Sequence, residues 1–352
     1  GAVAGVALPF IAGEMLFKTL EIPVIGLLVL AITIVGLVAR VSMPFRLPAS
    51  LFAIVVGTAL AYLIGAADGG KFSDAFTHLG FYPLLPNLAW YEGLGLLFTT
   101  LLALMTVILP ITLYNAIETM NNVEAMSAAG DSYSVRECQA VDGLGTSLGA
   151  LFGGVFPTTV YIATVGSKWM GAGRGYSLLN GAVYGLATMF GLIAFIAALI
   201  PVSVVAPILV FVGMSMIATA FNSNHARYYP AVALAMLPYF ANYLMTRFNR
   251  GAPEVVEGIS SAIGALGQGA MFSAILLGAM CVAVIDRQFR QATVFALIAA
   301  GMAFVGLMHA PKLAWYAAPD FVHGYLLMAL FFAWYAWRGV EPAAPERVSS
   351  GD

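Results

Sequence analysis

Charge is scarce in this 352-residue sequence: Asp, Glu, Lys and Arg make up 9% of it, against about 25% in an ordinary soluble domain. Neither sign dominates. Fifteen Lys and Arg face seventeen Asp and Glu, a net charge of −2, which excludes a basic nucleic-acid footprint and a cationic membrane-surface protein. Cysteine is nearly absent: Cys138 and Cys281 lie in separate apolar settings, too few for a disulfide scaffold and at no metal-ligand spacing. His78, His225, His309 and His323 are scattered, and no His-Glu-x-x-His pattern exists, so no metal site is expected. Each histidine reads as a loop or interfacial polar group. The stretch GAGRG at 171–175 lacks the Lys-Ser/Thr and the preceding strand that a phosphate loop needs. There is also no initial Met, no basic n-region and no signal-peptide cleavage site. The chain therefore reads as the C-terminal part of a longer protein.

What is present is apolar: 61% of residues, with a mean hydropathy of +0.92. Thirty-seven glycines without a collagen period suit close helix packing in lipid. A membrane crossing needs about 20 mostly apolar residues, and such runs occupy 1–17, 22–39, 47–66, 88–126, 144–164, 178–200, 201–221, 229–245, 260–285, 291–309 and 321–337. The run 88–126 is too long for one span and is expected to break near Pro110 into a short helix and a long one. The reading is an all-α, many-helix membrane protein with about eleven to thirteen crossings and no soluble domain. Only 67–86, 130–142, 247–257 and the tail EPAAPERVSSGD fall outside the bilayer, the tail as a disordered terminus. Arginines at both kinds of loop leave the orientation open.

A charge inside a span costs about 2.5–3.5 kcal/mol on insertion scales, so each needs an explanation. The segment MTVILPITLYNAIETMNNVEAM, 105–126, is the clearest case. Tyr114, Glu118, Asn121 and Asn122 are spaced i, i+4, i+7 and i+8, and Asn115, Glu118 and Asn122 i, i+3 and i+7, which aligns them on one helical face. Two readings apply. One is a polar seam between helices; the other is a substrate or ion site at mid-membrane, where a carboxylate and carboxamides can recognise a flat polar heterocycle. Glu14, inside the first run, reads as structural or snorkelling. Asp131, Arg136, Glu137 and Asp142 read as a solvated loop.

The second informative stretch is DGLGTSLGALFGGVFPTTVYIATVGSKWMGAGRG, from Asp142. Gly145, Gly149 and Gly153 recur every four residues and read as a ridge for helix packing. Pro157 then breaks the helix, and the β-branched run after it favours extended backbone. Such backbone survives at membrane depth only if buried in protein or lining a cavity. A helix restarting at 165–169 would present its N-terminal N–H groups there.

These two stretches carry a resemblance. NAIETMNNVEAMSAAGD, VDGLGTSLGALFGGVFPTTVYIATVG and GRGYSLLNGAVYGL resemble the xanthine/uracil permease family of nucleobase–cation symporters, from about residue 1 to 285 and most strongly over 105–185. The resemblance implies a seven-plus-seven inverted-repeat transporter with core and gate domains and a short strand in a broken helix. On that pattern 1–20 is a core-domain helix and 21–104 are gate-domain helices. Residues 105–200 form the core domain with a substrate half-site, 201–338 are gate-domain and extra C-terminal helices, and 339–352 is the tail. Residues 1–17 resemble the family's fourth segment, so the first three are expected to be missing.

By position, Glu118 corresponds to the family's base-binding acidic residue and Asn122 to the polar site residue one turn later. Thr158–Tyr161 correspond to the strand, with Thr158, Thr159 and Tyr161 in it. Ala163 falls where the family often has a second carboxylate, so that contact is lost here. Backbone groups from Tyr161 to Thr164 remain to meet the ring edge. The expectation is a secondary-active permease of the cell inner (plasma) membrane that takes up a nucleobase. A purine such as hypoxanthine, guanine, xanthine or adenine is favoured. Binding would use Glu118, Asn122, Asn121, Tyr114, Thr158, Thr159, Tyr161, Ala163 and Thr164. Glu118 would also couple H+ or Na+, with no other cofactor and no catalytic residue. The expected partners are the base, the lipid bilayer and a second copy through the gate domain, but no nucleic acid. The alternatives are an inorganic-anion transporter of the same fold, with Lys168 as its basic group, and a non-transporting membrane sensor or fragment.

Overall fold

The computed structural model describes residues 1–67, 69–86, 91–93, 95, 100–128, 130–154, 156–160, 173, 175–222, 224–248, 258–260 and 262–340. Among the described residues the regular elements are helical and no strand occurs. In chain order they are α1 (Ala2–Val6), a π-helical stretch Ala7–Gly13, α2 (Glu14–Leu20), α3 (Pro23–Thr33) with a π-helical end Ile34–Val38, α4 (Ala49–Leu63) and α5 (Gly69–Thr77). Next come α6 (Leu101–Ala128), α7 (Val135–Leu151), α8 (Gly175–Met189), α9 (Leu192–Leu199), α10 (Val202–Asn222) and α11 (Tyr229–Phe248). Last are α12 (Ala262–Gly267), α13 (Ala270–Ile285), α14 (Phe289–Phe304) and α15 (Pro319–Trp337).

Among the described residues, one helix is both long and apolar enough to cross a bilayer, Val202–Asn222. The sequence expectation of eleven to thirteen crossings is larger; several of the apolar runs break, while the unbroken helices Tyr229–Phe248 and Pro319–Trp337 are long enough but not apolar enough. Run 22–39 forms a helix over Pro23–Val38 and run 47–66 one over Ala49–Leu63, both apolar but shorter than a full span. Run 1–17 is interrupted by the π-helical turns around Pro9, a common site of local distortion. Run 178–200 is two helices, α8 and α9, meeting at 82°. Gly191 makes that corner with φ +70°, where a Cβ would lie 1.9 Å from the His78 carbonyl oxygen, so only glycine fits. Conversely, α6 runs unbroken through Pro110, correcting the expected break there. Helices tolerate proline within membranes when neighbours satisfy the freed carbonyl.

The chain divides into two compact units. One contains Lys18–Leu101 and Ile111–Ile208. Its apolar core joins Ile25 and Val29 of α3, Ala53 and Ala61 of α4, Ala67, and Val204 at the start of α10. Leucine and valine on the outer faces of its helices stay exposed, Leu63 at 83%, which suits lipid rather than water as the solvent. The tip of this unit's α7 corrects the solvated-loop reading of 130–142. The helix begins at Val135, capped by the Ser134 hydroxyl, which accepts from the Glu137 N–H at 3.4 Å, and so Asp142 is helical.

The other unit contains Gly1–Phe17, Leu102–Pro110 and the chain from Leu209 onward. Alanines 292, 296, 299, 300 and 303 form a buried stripe on α14, letting α15 pack closely through Val322, Tyr325 and Ala329. Glu14, read from the sequence as structural or snorkelling, pairs with Arg247. His309 lies in a non-helical stretch between α14 and α15, consistent with the expected loop place, but it is buried. Its Nδ1 lies 3.1 Å from the Ala265 carbonyl oxygen, which can only accept, so Nδ1 carries the proton and Nε2 accepts from the Tyr325 hydroxyl at 2.9 Å. The ring stacks on Phe321 at 3.9 Å.

Candidate functional site

The polar face of α6 lies against α7 and the non-helical residues 157–160. Pro157 cannot continue a helix, and the chain there must find partners for its backbone groups outside the usual ladder. The side chains of α6 and α7 provide them. Asn115 donates its side-chain amide to the Thr158 carbonyl at 2.9 Å. Asn122, two turns later and 7% exposed, does the same for the Val160 carbonyl at 2.5 Å. From the α7 side, the Thr158 N–H donates to the Thr146 hydroxyl at 2.9 Å.

Hydroxyl protons set the direction of the remaining bonds, since each threonine has one to give. Thr119, 1% exposed, donates to Asp142 Oδ2 at 2.6 Å. The Thr159 hydroxyl, 2.8 Å away, must therefore be the donor to Thr119. Thr158 Oγ1 donates to the Asp142 carbonyl at 2.8 Å, so Thr146, at 3.0 Å, donates to Thr158. Gln139 adds a bond from its amide to the Ala116 carbonyl at 3.1 Å, pinning α7 to α6. The result is a continuous polar seam through the segment after Pro157.

The glycines of α7 act differently from the expected ridge. Gly145 does face the segment, where a Cβ would lie 3.3 Å from Thr158 Oγ1, but a Cβ on Gly149 would meet nothing within 4 Å among the described residues. Gly153 instead ends the helix. It has φ +87°, its N–H donates to the Ala150 carbonyl at 3.0 Å, and the Gly154 N–H reaches back to Gly149 at 2.8 Å. That pattern is a Schellman C-cap, which favours glycine at this position. It turns the chain back toward Pro157.

Glu118 sits half-buried on the same face as Asn115, Thr119 and Asn122, as the i, i+3, i+4, i+7 spacing requires. Of the other expected site residues, Thr158 and Thr159 join this constellation, whereas Asn121 is exposed, one residue and about 100° around the helix from Asn122. Tyr114 lies on α6. Tyr161, Ala163, Thr164, Lys168 and the 165–169 helix start lie outside the described residues, as does the last part of the expected strand; Thr158–Val160 are non-helical but not in a strand. The set that spacing alone does not single out is Thr119, Gln139, Asp142 and Thr146. A signal for them exists in the sequence, since Thr119 shares the Glu118 face and Asp142 stands four residues before Thr146.

Chemically, the arrangement offers a carboxylate, carboxamide oxygens and non-helical backbone side by side, with one amide proton each of Asn115 and Asn122 engaged by the Thr158 and Val160 carbonyls. It suits a planar ligand with N–H donors along one edge. Among the described residues no group of three His, Cys, Asp or Glu side chains is placed to hold a metal ion. A family model, that of the xanthine/uracil permeases and described as Permease family, matches residues 2–228. No curated protein and no solved structure matches the chain.

Proposed function

The chain belongs to the xanthine/uracil permease family, whose members are membrane transporters and not enzymes, and we propose that it takes up nucleobases across the inner (plasma) membrane. The proposed substrate is a purine such as hypoxanthine, guanine, xanthine or adenine, driven by H+ or Na+. The observation that carries this reading is the clamp of Asn115, Thr119 and Asn122 on residues 158–160. It holds non-helical backbone against the one helical face that carries Glu118, so a flat base has a carboxylate on one side and main-chain groups on the other.

In the proposed cycle Glu118 accepts the ring N–H groups of the base. Asn122 offers its side-chain carbonyl to an exocyclic amine, its amide remaining on Val160. The Thr158–Tyr161 backbone is proposed to close the opposite edge. A proton or Na+ at Glu118 couples binding to the gradient. Motion of one helical body past another then exposes the base to the other side of the membrane. Ala163, where relatives often have a carboxylate, gives no charged side chain, so the ring edge there relies on main-chain groups.

The test is uptake of labelled hypoxanthine in permease-deficient cells, competed by unlabelled xanthine, adenine, uracil and sulfate. Competition by purines and not by sulfate is the expected profile. Competition by sulfate alone would favour the inorganic-anion reading, against which Glu118 weighs whenever it is ionised, because a carboxylate repels an anion.

A further inference from the structure

The α3–α4 hairpin ends in residues 39–48, ARVSMPFRLP, which the transport reading leaves unused. The tip has a fixed shape. The Val41 N–H donates to Val35 at 3.1 Å, the Arg46 N–H to Met43 at 3.1 Å and the Leu47 N–H to Pro44 at 3.3 Å. Met43 is buried, its Cε 3.2 Å from where a Cβ would stand on Gly36, which plugs the loop onto α3. Three bulky residues take left-handed backbone, Arg40 at φ 56°, Phe45 at φ 58° and Arg46 at φ 55°, a conformation such residues rarely adopt. The effect is to hold all three side chains outward. Phe45 is 91% exposed.

The charges at this tip are of one sign. Between Ile22 and Ala67 the sequence contains Arg40 and Arg46 and not one Asp or Glu. Both arginines are exposed. A bare phenylalanine between two guanidinium groups that pair with no carboxylate among the described residues is a poor arrangement for water. It is a good one for the edge of a bilayer. The apolar helices flanking the tip, Pro23–Val38 and Ala49–Leu63, are each about 22–24 Å long, somewhat short of the roughly 30 Å hydrocarbon core. The tip is thereby drawn to the hydrocarbon–headgroup boundary, where arginine reaches phosphate and an aromatic ring sits among glycerol and upper acyl groups.

We propose that loop 39–48 is a binding surface for anionic phospholipid, with Phe45 entering the acyl boundary while Arg40 and Arg46 grip the headgroup phosphate. Guanidinium suits this task because its planar donors meet phosphate oxygens in pairs. The proposal rests on the chain being a membrane protein and not on which solute it carries.

The test is native mass spectrometry of the full-length protein in detergent, titrated with phosphatidylglycerol or phosphatidylcholine. Wild type is expected to bind phosphatidylglycerol more tightly. Arg40→Gln/Arg46→Gln should weaken that binding about 30-fold, at about 1 kcal/mol per arginine near a lipid surface, with an unchanged melting temperature. Arg40→Lys/Arg46→Lys should keep most of the preference, and Phe45→Ala should weaken both lipids alike. Equal affinity of wild type for the two lipids, or a preference undiminished in the double Gln variant, would overturn the proposal. Inorganic phosphate at millimolar concentration should not displace the lipid; full displacement would mean that a free anion, and not a bilayer surface, is the ligand.

Discussion

Thr119 has one proton to donate and two partners within reach, and it gives the proton to Asp142. The chain Thr159 to Thr119 to Asp142 therefore depends on a hydroxyl that no apolar isostere can replace. Thr119→Val keeps the shape but leaves a carboxylate oxygen without its donor and the Thr159 hydroxyl without its acceptor. The expected loss is about 1–3 kcal/mol of stability, read as a lowered melting temperature, with Thr119→Ser close to wild type. Asn122→Asp makes a different change: it removes the donor to Val160 and sets a charge against a carbonyl. It should reduce uptake more than tenfold, checked by transport at matched expression, at a cost of about 1–3 kcal/mol for the orphaned group. At this scale much was legible. Spacing alone aligned Asn115, Glu118 and Asn122 on one face, because a helix fixes angular position whatever surrounds it. Spacing did not show that the amides of Asn115 and Asn122 hold backbone, since that depends on a segment 38 to 43 residues away.

Elements begin and end in this chain by local backbone chemistry that an apolar window does not register. Hydropathy averages over a run, so it read 178–200 as one crossing and missed the corner at Gly191, where φ is +70°. The expected break near Pro110 into a short helix and a long one rested on proline ordinarily interrupting a helix, whereas α6 runs through that position from Leu101 to Ala128. Gly145, Gly149 and Gly153 look identical in spacing yet answer to different demands. Gly153→Ala must hold an L side chain at φ +87° and should cost about 1–2 kcal/mol. Gly149→Ala adds a methyl that meets none of the described residues within 4 Å, within a helix, and should be neutral or gain up to about 1 kcal/mol. Gly191→Ala meets the His78 carbonyl at 1.9 Å and should exceed both. Thermal melts of the three variants in one detergent give the order: Gly191→Ala least stable, then Gly153→Ala, with Gly149→Ala at or above wild type. A ridge used for packing would instead make Gly149→Ala the damaging change.

For the whole molecule, the family match ends at residue 228, and an ion pair ties the chain at that point to the end of α13. Asp286, just after that helix, accepts from Arg227 and from the Tyr228 hydroxyl at 3.0 Å, and the guanidinium lies over the Tyr228 ring at 5.0 Å. Asp286→Asn should lower the melting temperature, by about 1–2 kcal/mol given that both side chains keep some exposure to solvent, and should leave base selectivity unchanged. The resemblance over 105–185 rests on residues in order along the chain, and that order was enough to identify the family. The partners of Asp142 and the burial of His309 come from contacts that order does not encode. The central claim is that Glu118 belongs to a nucleobase site in a transporter, and counterflow in proteoliposomes tests it most directly. Proteoliposomes holding the protein and preloaded with unlabelled purine should accumulate labelled purine, and Glu118→Gln, reconstituted at equal density, should lower that exchange at least a hundredfold. Counterflow that survives Glu118→Gln undiminished, or a well-folded wild type that exchanges no base at all, would contradict the account.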